Sequence, residues 1–204
     1  DYIFTQILEA RHQPGCIGID ADLTIRLLEN ICREIARNGL KKIVLVNAHG
    51  GNDYLIHYFA QLQLASPRDY VVYVVQPDFS PEDDAAVKAQ WETTVDGHAG
   101  EKETSALLVI RPDLVRTEAL FPDGEGMPLG RLQHLRDLNI DMGIWWFADH
   151  PSHYCGDGVP ATKEKGELWL SARARAFAKA VRAIKDDTET KCLQDEFFGM
   201  VSQN

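Results

Sequence analysis

The sequence predicts an α/β fold, a mostly parallel sheet flanked by helices on both faces. Three observations point there. Helical and strand-like patterns alternate along the chain. Two runs, "KKIVLVN" and "YVVYVVQ", are almost unbroken in apolar and β-branched residues, as strands covered on both faces are. A helical stretch separates them, which makes a βαβ unit. At 204 residues and 45% hydrophobic, the chain is long enough to bury the core of one such domain, and residues 1–204 are read as a single domain.

The elements follow in order. "DADLTIRLLENICREIARNGL" places Leu27, Leu28, Ile31, Cys32 and Ile35 at helical spacing, with Asp20 or Asp22 as N-cap and Gly39 as the stop. The first strand is Lys41 to Asn47. "NDYLIHYFAQLQL" then reads as a helix capped by Asn52, and Tyr70 to Gln76 as the second strand. "SPEDD" reads as an acidic loop. Another helix runs from about Glu101 through "ETSALLVI" to the stop at Arg111-Pro112, and "DMGIWWF" reads as a further strand. Leu170, Ala174, Phe177, Val181 and Ile184 mark the apolar face of a long helix beginning near Ala161. The segment "FPDGEGMPLG" is rich in proline and glycine and reads as a loop, a candidate border of the site and not a divider of domains. The tail "DDTETKCLQDEFFGMVSQN" is weakly patterned, and no internal repeat is present.

Charge and composition remove several function classes. The formal net charge is -10, from 31 acidic and 21 basic residues, so the basic face that a phosphate-backbone binder needs is missing and nucleic acid is not an expected partner. No apolar stretch approaches the roughly 18 residues of a membrane span, so no membrane partner is expected. The 4 cysteines lie far apart without a Cys-x-x-Cys pair, which argues against a disulfide framework or zinc ribbon and fits a reducing cytoplasm.

Two motifs carry chemistry. "VNAHGGN" sits where the first strand ends and the next helix begins, the edge at which open α/β sheets bind ligands. Gly50 and Gly51 permit a tight turn or a close backbone approach, and neither shields His49. A strand-end histidine is more often satisfied by a helix N-terminus or a carbonyl than by a ligand. The second motif, "DGHAGEKETS", sets His98 before a helix start that carries Glu103. An imidazole and a carboxylate suit zinc, manganese or iron, and such a histidine also shuttles protons. The bland alternative is a solvated first turn whose acids, Glu101 and Glu103, favour the helix dipole. The spacing is not His-Glu-x-x-His, and no Gly-x-Ser-x-Gly or Walker A sequence occurs. "HYC", His153 to Cys155, offers a thiol, but a loop cysteine near a histidine is usually incidental.

In this order the two motifs resemble those of the creatininase family of metal-dependent amidohydrolases. "NAHGGN" is close to that family's Asn-Gly-His-Gly-Gly-Asn, and "GHAGEKETS" to its Gly-His-Ala-Gly-x-x-Glu-Thr-Ser. "QPGCIGID" and "GDGVPATKEKGE" extend the likeness over most of residues 10–185. The resemblance implies a three-layer creatininase-like fold and a centre of two divalent metal ions, zinc, manganese or iron. It makes His49 a ligand of one metal, Glu103 a ligand of the other, and His98 the group that passes a proton to the departing nitrogen. It also implies a homo-oligomer and a small-molecule amide substrate.

Three departures shape the expectation. Creatininases carry Tyr-Glu where this chain has Gly50-Gly51, and a tryptophan where it has Thr94, so a linear amide, formamide or lactam is expected rather than creatinine. An upstream Glu-x-His segment and an aspartate complete the family's metal ligands, and nothing like them precedes Gly15. The domain is therefore read as lacking its N-terminal part. The alternative is a non-catalytic binding or scaffold subunit with an incomplete metal site.

Overall fold

Alternating α and β elements organise the computed structural model, which describes residues 7–119 and 124–203. In chain order they are α1 (Ala21–Arg37), β1 (Lys42–Val46), α2 (Asp53–Leu62), β2 (Val71–Val75), α3 (Pro81–Lys88), β3 (Asp96–His98), α4 (Glu101–Ile110), α5 (Gln133–Arg136), α6 (Trp145–Asp149), β4 (Cys155–Gly156), α7 (Lys163–Asp186) and α8 (Glu189–Val201). They divide into two compact units, one built mainly on residues 17–78 and the stretch from Phe177, the other on Glu9–Cys16 and Phe79–Ala176.

The first unit contains the predicted βαβ. β1 and β2 pair in parallel, with Lys42 opposite Val71 and Val46 opposite Val75, and α2 lies in the crossover. α1 buries Thr24, Leu28, Cys32 and Ala36, a stripe spaced by four residues. Leu28, Cys32 and Ala36 pack with Ile43, Phe59 and Tyr70 into the core cluster, joined by Leu45, Leu55 and Val72. A side chain such as Phe59, only 1% exposed, contributes about 1.5–3 kcal/mol by its burial. Burial, helped by the nearby Glu29 charge, pushes the Cys32 thiol up to about 11, which leaves it a packing residue. Gly39 ends α1 at φ +92°, a conformation that costs glycine no clash. Lys42 and Tyr73 alternate with the core-facing Ile43 and Val72. Lys42 Nζ donates to the Ile184 and Lys185 carbonyls at 2.8 and 2.7 Å, and the Tyr73 hydroxyl to Asp187 at 2.6 Å. The ammonium thus caps the carboxyl end of α7.

The second unit holds α4 against the start of α7. A Cβ on Gly166 would lie 2.1 Å from the Ser105 carbonyl oxygen, so only glycine allows this contact.

Several expectations change. The parallel part, among the described residues, is two strands and not a broad sheet, and β3 and β4 form a separate antiparallel pair. "SPEDD" starts helix α3: Ser80 Oγ accepts from Asp83 N at 3.1 Å, Pro81 opens the first turn, and three acids follow. "DMGIWWF" is not a strand but a turn leading into α6. Its apolar run is too short for periodicity to separate helix from strand, and side-chain partners decide, among them Arg136 stacked 4.4 Å over Trp145. α7 begins close to the expected place but buries Lys165, Gly166, Ala172 and Ala176, while Val181 is exposed. Apart from Lys165, its buried positions are small residues. The weakly patterned tail forms α8. Asn52 and Asp20 sit at N-cap positions without a side-chain cap bond. Of "FPDGEGMPLG", residues 121–123 lie outside the described residues, and Gly126 accepts from Gly156 N at 3.0 Å, which sets this loop beside β4.

Candidate active site

His49 follows β1 in the first unit, with extended backbone (φ -147°, ψ 125°), immediately before a short 3-10 turn. Polar side chains shape this loop. Asn47 donates to Asp53 Oδ1 at 2.6 Å and accepts from His49 N at 3.2 Å, and Asn52 N donates to the His49 carbonyl at 3.0 Å. Gly50 has no positive φ, and no atom lies within 4 Å of where its Cβ would be. Gly50 opens the tight 3-10 turn, and the space where its side chain would stand is open.

The second motif occupies β3 and the first turn of α4, so His98 belongs to the antiparallel pair. Its register partner is Cys155. A Cβ at Gly97 would come within 2.7 Å of Cys155 Sγ and 3.4 Å of the Trp146 ring, so a larger residue would displace the Cys155 side chain. Glu103 reaches back from α4 and accepts at 2.7 Å from the amide of Ala99, the residue just before the N-cap Gly100, which ties the approaching chain to the first turn. The same oxygen stands 3.6 Å from His98 Nδ1, and the two side chains are 41% (His98) and 54% (Glu103) exposed. Asp96 closes the other side by accepting from Lys102 N at 3.1 Å. Its burial raises the carboxyl above the usual range against the pull of that bond and the Lys102 charge.

Side chains distant in sequence complete the surroundings. The His98 and His153 rings meet edge to face, centroids 4.5 Å apart. His153 Nδ1 accepts from the Trp146 indole N–H at 2.8 Å. Beneath the motif, Glu101 is fully buried and is not the solvated helix-start acid that its position indicates. It accepts from the Glu92 and Thr93 amides, the Thr93 hydroxyl and Lys165 Nζ, the last at 2.6 Å. Sequence reading missed the contacts that His153 and Trp146 make around the motif and the pairing of Glu101 with Lys165. Lys165 is 64 residues from Glu101, and no local spacing signals such a pair. Cys155 is buried and its thiol is pushed up by that burial, so the "HYC" thiol is not an activated nucleophile.

The structure thus brings His98 and Glu103 together and places His49 in the first unit. Among the described residues no group of three or more His, Cys, Asp or Glu is placed to hold a metal ion. Catalytic zinc takes about three protein ligands. These residues therefore do not fit a complete metal centre by themselves.

Against known proteins, the family model described as "Creatininase: Creatinine amidohydrolase" matches residues 3–181. The chain belongs to the creatininase family. A Pseudomonas putida creatinine amidohydrolase is 26% identical over 187 residues, covering 84% of this chain and 66% of that relative, just under two thirds of its length. A Bacteroides fragilis protein proposed to be a creatinine amidohydrolase shares the creatininase fold, with a TM-score of 0.69 at 23% identity over 87% of this chain and 67% of its own. The structure named Creatininase Mn has a TM-score of 0.59 at 25% identity, covering 84% of this chain and 67% of its own.

Proposed function

We propose that the whole protein is a metal-dependent amidohydrolase that cleaves a C–N bond in a small linear amide, formamide or lactam. One observation carries this reading: the second family motif folds so that His98 and Glu103 stand 3.6 Å apart beside an open surface. Family membership and the printed names of the relatives support it. Bound divalent metals would supply a water of lowered pKa and a polarised carbonyl. Glu103 and His49 are the proposed ligands, one for each metal, and a complete centre requires further ligands. The chain's own contribution to bond breaking is His98, whose imidazole can hand a proton to the departing nitrogen.

The test is hydrolysis of a panel of linear amides, formamides and lactams before chelation, after chelation, and after return of Zn²⁺, Mn²⁺ or Fe²⁺. Cleavage of at least one panel member that stops on chelation and returns with metal is expected. Cleavage indifferent to the chelator, or none under any metal, points instead to a binding or scaffold role.

A further inference from the structure

We propose that His153 is a positioning residue for His98, held in place by Trp146. This rests on the proton-transfer role given to His98. Neither the two motifs nor the comparisons assign a role to His153.

Three independent features converge on it. The first is contact: the His153 ring sets its edge against the His98 imidazole at 4.5 Å, while Glu103 lies near the Nδ1 side of that ring. His98 is thus constrained from two directions and keeps an exposed remainder. The second is orientation. The Trp146 indole N–H can only donate, so the His153 Nδ1 that receives it at 2.8 Å carries no proton, and the neutral ring bears its hydrogen on Nε2. The turn around it is fixed as well, since His150 N donates to the Trp146 carbonyl at 2.7 Å and His153 N to the His150 carbonyl at 2.9 Å. The third is strain. His153 has φ +70°, a left-handed conformation uncommon outside glycine, though histidine, asparagine and aspartate enter it more readily than other residues. Backbone held there persists only when its surroundings over-determine it, and such residues cluster at functional sites. A side chain present only for packing would not need that conformation, which glycine adopts without cost.

Replacing His153 by Gly separates the two kinds of role, because glycine relieves the backbone while deleting the ring. In the whole metal-loaded protein, His153→Gly is expected to melt within about 4 °C of the parent. It should keep KM within about threefold and lower kcat about 10–100-fold, the scale of a slightly misplaced catalytic group. NMR of the His98 ring supplies a readout independent of activity: its signals should shift and broaden in His153→Gly, and less so in Trp146→Phe. His153→Asn repeats the test with another side chain that tolerates positive φ. His98 ring signals unchanged in both His153 variants would overturn the inference, as would an unchanged kcat when His98→Asn itself abolishes turnover. If His98→Asn leaves turnover intact while His153→Gly displaces the His98 ring, the contact stands and the catalytic reading of His98 falls.

Discussion

At Glu103 one carboxylate meets both the backbone ahead of α4 and the imidazole of the second motif. Its Oε2 accepts the Ala99 amide at 2.7 Å and faces His98 at 3.6 Å. Gln at this position keeps an oxygen for that amide but loses the charge. In metal-free protein, Glu103→Gln is therefore expected to change stability by less than about 1 kcal/mol, read from the denaturant midpoint, as for an exposed charge. His98→Asn removes the proton-bearing ring without touching the carboxylate. In the whole protein it should lower turnover by roughly 10²–10⁴ while bound metal stays within error of the parent. Steady-state kinetics beside elemental analysis checks this, and metal loss in His98→Asn would mean that His98 is itself a ligand. The closeness of His98 and Glu103 was legible in the sequence because they lie in one contiguous motif. His153 and Trp146 were not, because a ring contact made across a turn leaves no spacing to read.

The β3–α4 segment is held by a buried ionic network more than by strand pairing, since β3 has only three residues. Glu101 is fully buried and Lys165 nearly so, and the pair also ties down the Glu92 and Thr93 amides. Removing one partner of such a pair leaves the other charge uncompensated. Lys165→Met is expected to destabilise the fold by about 3–5 kcal/mol, read from the denaturant midpoint. A cost below about 1 kcal/mol would show that the network does not hold the segment. Burial works to raise the Glu101 carboxyl, but the Lys165 ammonium and the Thr93 and Glu92 donors outweigh it and hold it below its ordinary value of 4.5. Its stabilisation is thus complete above about pH 4.5 and is lost as pH falls through the lower folded value. Burial lowers Lys165, but Glu101 and Glu92 raise it above its ordinary value of 10.5, so its contribution is present below that pH and lost as pH climbs through the folded value. Stability measured across acid pH should decline less steeply in Lys165→Met than in the parent. At this scale the sequence was readable where periodicity is long, as in α1 and the β1–α2–β2 unit. It misled where apolar runs are short, as in α6. At α3, a serine cap followed by proline and acids was a helix signal read as a loop.

For the whole molecule, the βαβ unit and the order of the two motifs were enough to indicate an α/β protein of the creatininase family, and the family match over residues 3–181 agrees. The breadth of a parallel sheet was not readable from two apolar runs, because strand pairing depends on partners that periodicity cannot name. The division into two units was also not apparent in the sequence, since the first unit joins residues 17–78 to the stretch from Phe177. The proposed amidohydrolase function rests on His49 and Glu103 each ligating a divalent metal. Metal content of the dialysed whole protein, measured by elemental analysis for the parent, His49→Gln and Glu103→Gln, tests it most directly. Two metal ions per chain are expected in the active parent, and the loss of at least one in each variant, together with activity. Full activity in metal-free parent protein, or unchanged metal content in both variants, would contradict it.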